Sequence, residues 1–435
     1  MLAKIACIVA TAASIAFGCV RAQATTVAPA RDPSGTSDLS AALRLRGHLP
    51  GLRSSRLRST AAGQPAYTIV ADGAPTTNST PLGFNNTGQI FGQGSTGCFV
   101  YDQGSFVRLP IPSAGGQPID DCAPVAINDA ASNGTFEVGG RGGNPYAAAN
   151  YAFIVNNRLP TIYYAYEASS ILGINTNGIS AVTALFAPVR TTDLAGQQLF
   201  TGSGTGYLSQ LQAPVSAAAP IHYLLPFPNY SVPACPFGGC VINDRNKILG
   251  YDFFSLTSTS AKVAVATLGK PESLVDLPIS LNFYPGGYEL ASTGTVAFNN
   301  NDQILYDAGV YAADISAIYD IRSGKKTIIR VVTPTCPKGA HTLPISMNNK
   351  EEVLGFYYCA TNSGYFTWDP VTGTHDLSLQ IPSTNFTLYP VGVNDKGQIL
   401  VDIAVGYDSV SWGTLDPVVP NASQKRSQRR LNAVP

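Results

Sequence analysis

GVNDKGQIL, residues 392–400, has four close relatives upstream: LGFNNTGQIFG from Leu82, VINDRNKILG from Val241, AFNNNDQILY from Ala297 and SMNNKEEVLG from Ser346. Each reads as an apolar residue, Asn, then Asn or Asp, two residues, a polar residue, and an Ile-Leu-like pair. Aligned on the first Asn, the strong copies sit at Asn85, Asn243, Asn299, Asn348 and Asn394, with weaker ones at Asn128 and Asn175. The successive spacings are 43, 47, 68, 56, 49 and 46 residues. In physical terms the unit is a tight hairpin. PVGV (390–393) and QILVD (398–402) are short apolar strands, and Asn394-Asp395-Lys396-Gly397 reads as a type I turn. The Asn side chain accepts from the backbone, and the fourth residue takes a left-handed conformation. Gly88 and Gly397 suit that fourth place, and Asn246 and Asp302 belong to residue types that tolerate positive φ. Glu351 does not suit it, which predicts either a different turn or strain at 348–351.

Two further strands follow in each unit: CFVYD (98–102) and SFVRL (105–109) in the first, YFTWD (365–369) and HDLSL (375–379) near the end. Four short antiparallel strands repeated every 40–50 residues point to an all-β chain built as a β-propeller. The load of 42 Gly and 31 Pro argues against helical repeats of the same period. The last unit lacks a fourth strand, while AYTIV (66–70) stands unpaired before the first Asn. That strand is expected to complete the last blade and close the ring, removing exposed edges. Counting the weakly patterned unit at Asn175 gives seven four-stranded blades; reading it as an insertion gives six.

The pattern of Asn-Asp-x-Gly-Gln-Ile, then aromatic-x-Trp-Asp, Gly and Asp-Leu resembles the bacterial extracellular HAF repeat. VNDKGQIL, FNNTGQIFG and YFTWDPVTGTHDL are its clearest matches, and the resemblance extends over roughly residues 66–416. It implies an exported repeat protein of propeller-like fold, and it assigns no activity to named residues.

The ends of the chain differ from its middle. Residues 1–24 read as a signal peptide: Lys4, an apolar run from Ile5 to Val20, and Ala22-Gln23-Ala24 as the cleavage site. The run is too short to span a membrane, and no later stretch is long enough. AFGC around Cys19 offers a lipoprotein reading, which Phe17 fits poorly. The expected location is therefore secreted or periplasmic. Residues 25–63 hold six Arg against two Asp, and residues 421–435 hold four basic residues and no acid. Residues 64–420, the expected propeller, hold 15 basic and 25 acidic residues. An acidic body between two flexible basic segments does not suit nucleic acid. The basic ends could hold an anionic envelope polymer.

With Cys7 and Cys19 in the leader, six of the eight cysteines remain, an even number that favours disulfides in an oxidising compartment. The expected pairs are Cys98–Cys122, Cys235–Cys240 and Cys336–Cys359. No paired-Cys and His spacing suits zinc, and the acids of the Asn-Asp turns are too sparse for calcium, so no metal or cofactor is expected.

Candidates for chemistry are few. His48, His222, His341 and His375 are scattered, and no Gly-x-Ser-x-Gly elbow occurs. Asp120-Asp121, beside Cys122 in a loop between blades, is a rigid acidic pair, and Arg141 is a cation in the same unit. Twenty-one Tyr against two Trp is a high count. Tyr146, Tyr230, Tyr284 and Tyr288 fall outside the strand patterns, in loops expected to crowd one channel mouth if the Asn-bearing strand is innermost. Tyr offers rigid contact area with a polar tip, as recognition surfaces require. The reading is a monomeric binding module for an extracellular glycan or protein. The alternatives are a glycoside hydrolase or lyase using carboxylates at the channel mouth, and a structural envelope component.

Overall fold

The computed structural model describes residues 67–71, 79–94, 97–102, 104–109, 121–129, 134, 136–144, 149–156, 162–165, 169–177, 179–184, 191–192, 198–199, 207–212, 222–223, 232–233, 242–253, 260–267, 270–282, 295–308, 314–333, 336–337, 339–360, 362–381, 387–405 and 408–418. Among them lie seven four-stranded antiparallel sheets and one two-stranded pair, Thr191–Thr192 with Gln198–Leu199. The first sheet runs Ser79–Phe84, Ile90–Gly94, Gly97–Asp102, Ser105–Arg108, and the second Asp121–Ile127, Glu137–Asn144, Ala149–Asn156, Ile162–Ala165. The third, around Asn175, runs Ser169–Ile174, Ile179–Ala184, Tyr207–Gln212, His222–Tyr223. The fourth is Val232–Pro233, Lys247–Phe253, Ser260–Thr267, Lys270–Asn282, and the fifth Thr295–Phe298, Gln303–Asp307, Ser316–Asp320, Lys326–Ile328. The sixth is His341–Met347, Val353–Tyr358, Ser363–Asp369, Gly373–Asp376, after which Leu377–Leu379 form a 3-10 turn where a strand was expected to continue.

The seventh sheet joins both ends of the fold. Thr387–Val393, Ile399–Val405 and Asp408–Pro417 are followed in space by Tyr67–Ala71, which pairs antiparallel with Asp408–Pro417 from Tyr67 opposite Pro417 to Ala71 opposite Gly413. The strand upstream of the first Asn thus completes the last sheet, as its unpaired pattern predicted.

In each sheet the first strand is an edge strand, and in six of the seven it carries a bulge. The register slips between Pro81 and Gly83, Pro124 and Ala126, Ile171 and Gly173, Thr295 and Ala297, Pro344 and Ser346, and Pro390 and Gly392. Proline cannot donate to a ladder, so its recurrence four residues before the Asn suits an unpaired edge with a bulge. Glycine recurs on the neighbouring strand for a different reason. Gly92 lies opposite Phe99 and Gly355 opposite Phe366, and a Cβ on either glycine would meet the partner's ring at 2.4 Å or closer.

The core lies between consecutive sheets. Phe91, Cys98 and Val100 of the first pack with Cys122 and Val138 of the second. Leu305 and Ile318 of the fifth pack with Met347, Val353 and Phe366 of the sixth. Leu354, Phe356 and Tyr365 of the sixth pack with Leu388, Ile399, Val401 and Leu415 of the seventh. The series then returns to its start, because Val391, Leu400 and Trp412 of the seventh pack with Ile90 and Phe99 of the first. Trp412 is fully buried there, edge-on to Tyr101 at 4.7 Å, with its Nε1 donating to Ser79 Oγ at 3.4 Å.

Two disulfides are present among the described residues. Cys98–Cys122 ties the third strand of the first sheet to the first strand of the second, and Cys336–Cys359 ties the segment before the sixth sheet to the end of that sheet's second strand. Cys235 and Cys240 lie outside the described residues, as do the leader and the basic segments at 25–63 and 421–435. Among the described residues no helix is long and apolar enough to cross a membrane.

Candidate functional site

The seven hairpins meet through their asparagines. Within each turn the Asn carboxamide oxygen accepts backbone N–H groups of its own hairpin. Asn85 Oδ1 accepts from Thr87, Gly88 and Gln89 at 2.9–3.1 Å, and Asn394 Oδ1 from Lys396 at 3.0 Å and Gln398 at 3.1 Å. The backbone closes the same loop, with Asn394 N donating to Gln398 O and Gly397 N to Asn394 O. The predicted positive φ at the fourth place is present: 97° at Gly88, 58° at Asn246, 65° at Asp302 and 75° at Gly397. Glu351 sits at φ 64° in the same turn, its N–H donating to Asn348 O, so the sequence misfit is resolved as strain.

The amide nitrogen of each Asn does something the sequence does not display. Asn85 Nδ2 donates to Asn128 O at 2.8 Å, Asn128 to Asn175 O at 3.3 Å, Asn175 to Asn243 O at 3.2 Å and Asn243 to Asn299 O at 3.1 Å. Asn299 then donates to Asn348 O at 3.2 Å, Asn348 to Asn394 O at 2.7 Å, and Asn394 back to Asn85 O at 3.3 Å, across 309 residues. Each amide reaches the next sheet in chain order, and the seventh returns to the first. Asn is needed at this buried place because it is both acceptor and donor; Asp has no donor to cross with.

The next residue forms a second series of links, across six of the seven contacts between hairpins. Asn86 N donates to Asp129 Oδ1, Thr176 N to Asp244 Oδ1, Asp244 N to Asn300 Oδ1, Asn300 N to Asn349 Oδ1, Asn349 N to Asp395 Oδ1 and Asp395 N to Asn86 Oδ1, each at 2.6–2.7 Å. This place requires only a side-chain acceptor, which Asn and Asp both supply. The free carboxylate oxygens are then answered by neighbouring amides. Asn86 Nδ2 donates to both Asp129 Oδ2 and Asp395 Oδ2, Asn349 Nδ2 to Asp395 Oδ2, and Asn300 Nδ2 to Asp244 Oδ2. Burial raises the Asp129 carboxyl above its usual range, and the charges of Asp395 and Asp244 add to that, against the lowering effect of the Asn86 hydrogen bonds.

These links make one polar, half-buried end to the array. Its acids are hydrogen-bonded into the framework, and among the described residues no three His, Cys, Asp or Glu side chains are grouped to hold a metal ion. At the contact between the fourth and fifth hairpins the pattern changes. Asp302, at the strained fourth place, is buried, and Lys247, Arg245 and Arg322 all meet its Oδ2.

The residues singled out in the sequence fare unevenly. Asp121 opens the first strand of the second sheet, opposite Gly143, and is not in a loop as expected. Arg141 stands on the adjacent strand opposite Ala123, two ladder positions away. Asp120, Tyr146, Tyr230, Tyr284 and Tyr288 lie outside the described residues. His341 opens the first strand of the sixth sheet, where its ring stacks on Tyr358 at 4.9 Å. His375 sits on the outer strand of that sheet, its Nε2 2.8 Å from Thr372 Oγ1. The inter-sheet links and the basic cluster on Asp302 escaped sequence reading. The signal was present in the choice of Asn at one place and Asn or Asp at the next, and in Lys247 standing where the other strong copies carry Gln or Glu.

No protein-family model matches the chain, and no curated protein does. Solved structures do resemble it. TolB from Acinetobacter baumannii matches at 9% identity over 65% of this chain and 63% of its own, with a TM-score of 0.35. The acylaminoacyl peptidase of Pyrococcus horikoshii matches at 10% identity over 81% of this chain and 54% of its own, with a TM-score of 0.43. The extracellular domain of a one component system from B. thetaiotaomicron matches at 11% identity over 82% of this chain and 41% of its own, with a TM-score of 0.39. The chain thus spans less than two thirds of the length of each. The hydrogen-bonded circuit of the seven Asn side chains, rather than these likenesses, defines the succession of sheets.

Proposed function

We propose that the chain is an exported seven-bladed β-propeller, closed by its N-terminal strand, that acts as a binding module for an extracellular glycan or protein. The observation that carries this reading is the use of the converging acids. Asp129, Asp244 and Asp395 are the carboxylates of the second series of links, and each is held by backbone and amide donors of neighbouring hairpins. The enzyme alternative needs a pair of carboxylates free to act as acid and as base or nucleophile on a sugar; these are framework. The two inter-segment disulfides support an oxidising compartment, secreted or periplasmic; cleavage of the leader near Ala24 belongs to the same proposal and rests on the sequence pattern alone. Membership of the HAF-repeat family belongs to the same proposal and rests on the motifs alone.

A glycan array and a panel of immobilised envelope proteins, probed with the chain from residue 25 onward, test this reading. Saturable binding to one class of ligand, with that ligand recovered unchanged, is the expected result. Release of cleaved sugar would establish the enzyme instead, and failure to bind either panel would remove the binding-module reading. The basic segments have a separate expected role. Tyr67 lies opposite Pro417, so residues before the one and after the other leave from neighbouring places. Together they would hold an anionic envelope polymer, and removing 25–63 and 421–435 should abolish retention on an acidic polysaccharide while leaving the melting temperature unchanged. Retention by the trimmed chain with the same salt dependence would refute that role.

A further inference from the structure

We propose that the contact between the fourth and fifth sheets is an oxyanion-binding site, in which Arg245, Lys247 and Arg322 receive a sulfate, phosphate or carboxylate group beside Asp302. The inference goes beyond the binding-module reading, because it names a place and a ligand chemistry and stands without that reading.

The site begins with a constraint of the repeat. Asp302 holds the fourth place of the fifth turn, where Gly stands in the first and last strong copies, and its side chain is 3% exposed. A buried carboxylate must be paired and hydrogen-bonded. Its Oδ1 accepts from Asn243 Nδ2 at 3.0 Å, and its Oδ2 meets Lys247 Nζ at 3.0 Å. Those two contacts give each oxygen a partner, and Lys247 balances the charge. Two more cations nonetheless reach the same oxygen, Arg322 through Nε at 2.9 Å and Arg245 through Nη1 at 3.3 Å. Three positive charges therefore share one negative charge.

Neither acid closest in sequence relieves the excess. Asp244, next to Arg245, uses its oxygens on Thr176 N and Asn300 Nδ2. Asp320, two residues before Arg322, accepts from the backbone N–H groups of Arg322 and Ser323. Asp302 is the sole ion-pair partner of these three cations among the described residues.

The two arginines also have donors to offer. Their side chains are 45% and 48% exposed, and each directs a single N–H at Asp302. A guanidinium carries five N–H donors in a planar fork, which matches the paired oxygens of a carboxylate, phosphate or sulfate. The sequence departs from its own repeat at this contact. Where Lys247 stands, the other strong copies carry Gln89, Gln303, Glu352 and Gln398, none of them a cation; the place of Arg245 holds Lys350 and Lys396 in two copies and Thr87 and Asn301 in the other two. Departures from a locally consistent pattern mark functional places.

Equilibrium dialysis of radiolabelled sulfate against the full chain, at an ionic strength that screens exposed charges beyond about 8 Å, reads the site directly. The wild type should bind one sulfate saturably, with inorganic phosphate competing. Arg245→Gln/Arg322→Gln, which retains Lys247 on Asp302, should bind at least tenfold more weakly with an unchanged melting temperature. Competition by dextran sulfate, but not by uncharged dextran, would assign the site to polymer-borne groups; lack of competition would assign it to the free ion. If the double variant does not fold, Arg245→Lys and Arg322→Lys keep the charge and lose the fork, and each should weaken sulfate binding severalfold. No saturable sulfate binding by the wild type, or equal binding by the wild type and the folded variants, overturns the proposal. Either result leaves the glycan and protein panels to decide the broader reading.

Discussion

Asn394 accepts two backbone N–H groups within its turn and donates one amide hydrogen to the carbonyl of Asn85, 309 residues away. Removing the side chain leaves buried donors without an acceptor, each costing about 1–3 kcal/mol. Asn394→Ala should therefore lose about 3 kcal/mol or more in urea unfolding. Asn394→Asp keeps the acceptor but loses the amide hydrogens given to Asn85 O and Gln398 Oε1 and sets a buried carboxylate against those oxygens, so it too should be destabilising. An unchanged stability in Asn394→Asp would mean that the amide nitrogen contributes nothing across the sheet boundary. Glu351 carries the opposite expectation. A bulky residue at φ 64° is strained, and Glu351→Gly should stabilise the protein by about 0.5–1 kcal/mol, a gain that the same unfolding curves would reveal or refuse. The turn was legible in the sequence, down to the misfit at Glu351, because its hydrogen bonds span at most four residues. The crossing donor was not, because its acceptor belongs to a sheet 43 to 68 residues away within the chain, or 309 at closure.

At the scale of the element, the Ile-Phe-Gly and Val-Leu-Gly endings at 90–92 and 353–355 are explained by the phenylalanine that lies opposite each glycine. A Cβ at position 355 would stand 2.3 Å from Phe366 Cζ and 2.9 Å from Leu343 O, and Phe366 is fully buried. Gly355→Ala should cost about 1–3 kcal/mol by overpacking; an unchanged urea midpoint would show that the ring can move aside. The disulfides act between elements. Each closes a loop with a sequence separation of 24 or 23 residues, so Cys98→Ala/Cys122→Ala should lose about 3 kcal/mol relative to the oxidised protein. Reduction of the wild type should lower its melting temperature in the same sense, and insensitivity to reductant would remove these bonds from the stability of the fold. Both pairs were readable, because compartment and an even count left few choices. The bulged edge strands were not read, although Pro81, Pro124, Pro344 and Pro390 repeat at one place before the Asn. A proline on an edge has meaning only once the strand's free side is known.

At the scale of the whole molecule, a chain of successive sheets must do something with its two ends. Here Trp412 and Leu400 of the seventh sheet pack on Ile90 and Phe99 of the first, the last Asn amide bonds to the first Asn carbonyl, and Tyr67–Ala71 completes the seventh sheet. The architecture was legible from the sequence because the repeat is periodic and the strand count leaves one strand over. The site was not, since polar residues at the meeting of the hairpins are used by the framework, and the tyrosines expected to mark a ligand surface lie outside the described residues. Removal of residues 64–72 tests the closure most directly. The deletion takes away five ladder pairs and no residue of the seven hairpins. If the ring is closed by that strand, thermal melting of the deleted chain should fall by many degrees and lose cooperativity, because the seventh sheet shares its core with both the sixth and the first. A transition at the same temperature and of the same sharpness as the intact protein would contradict closure.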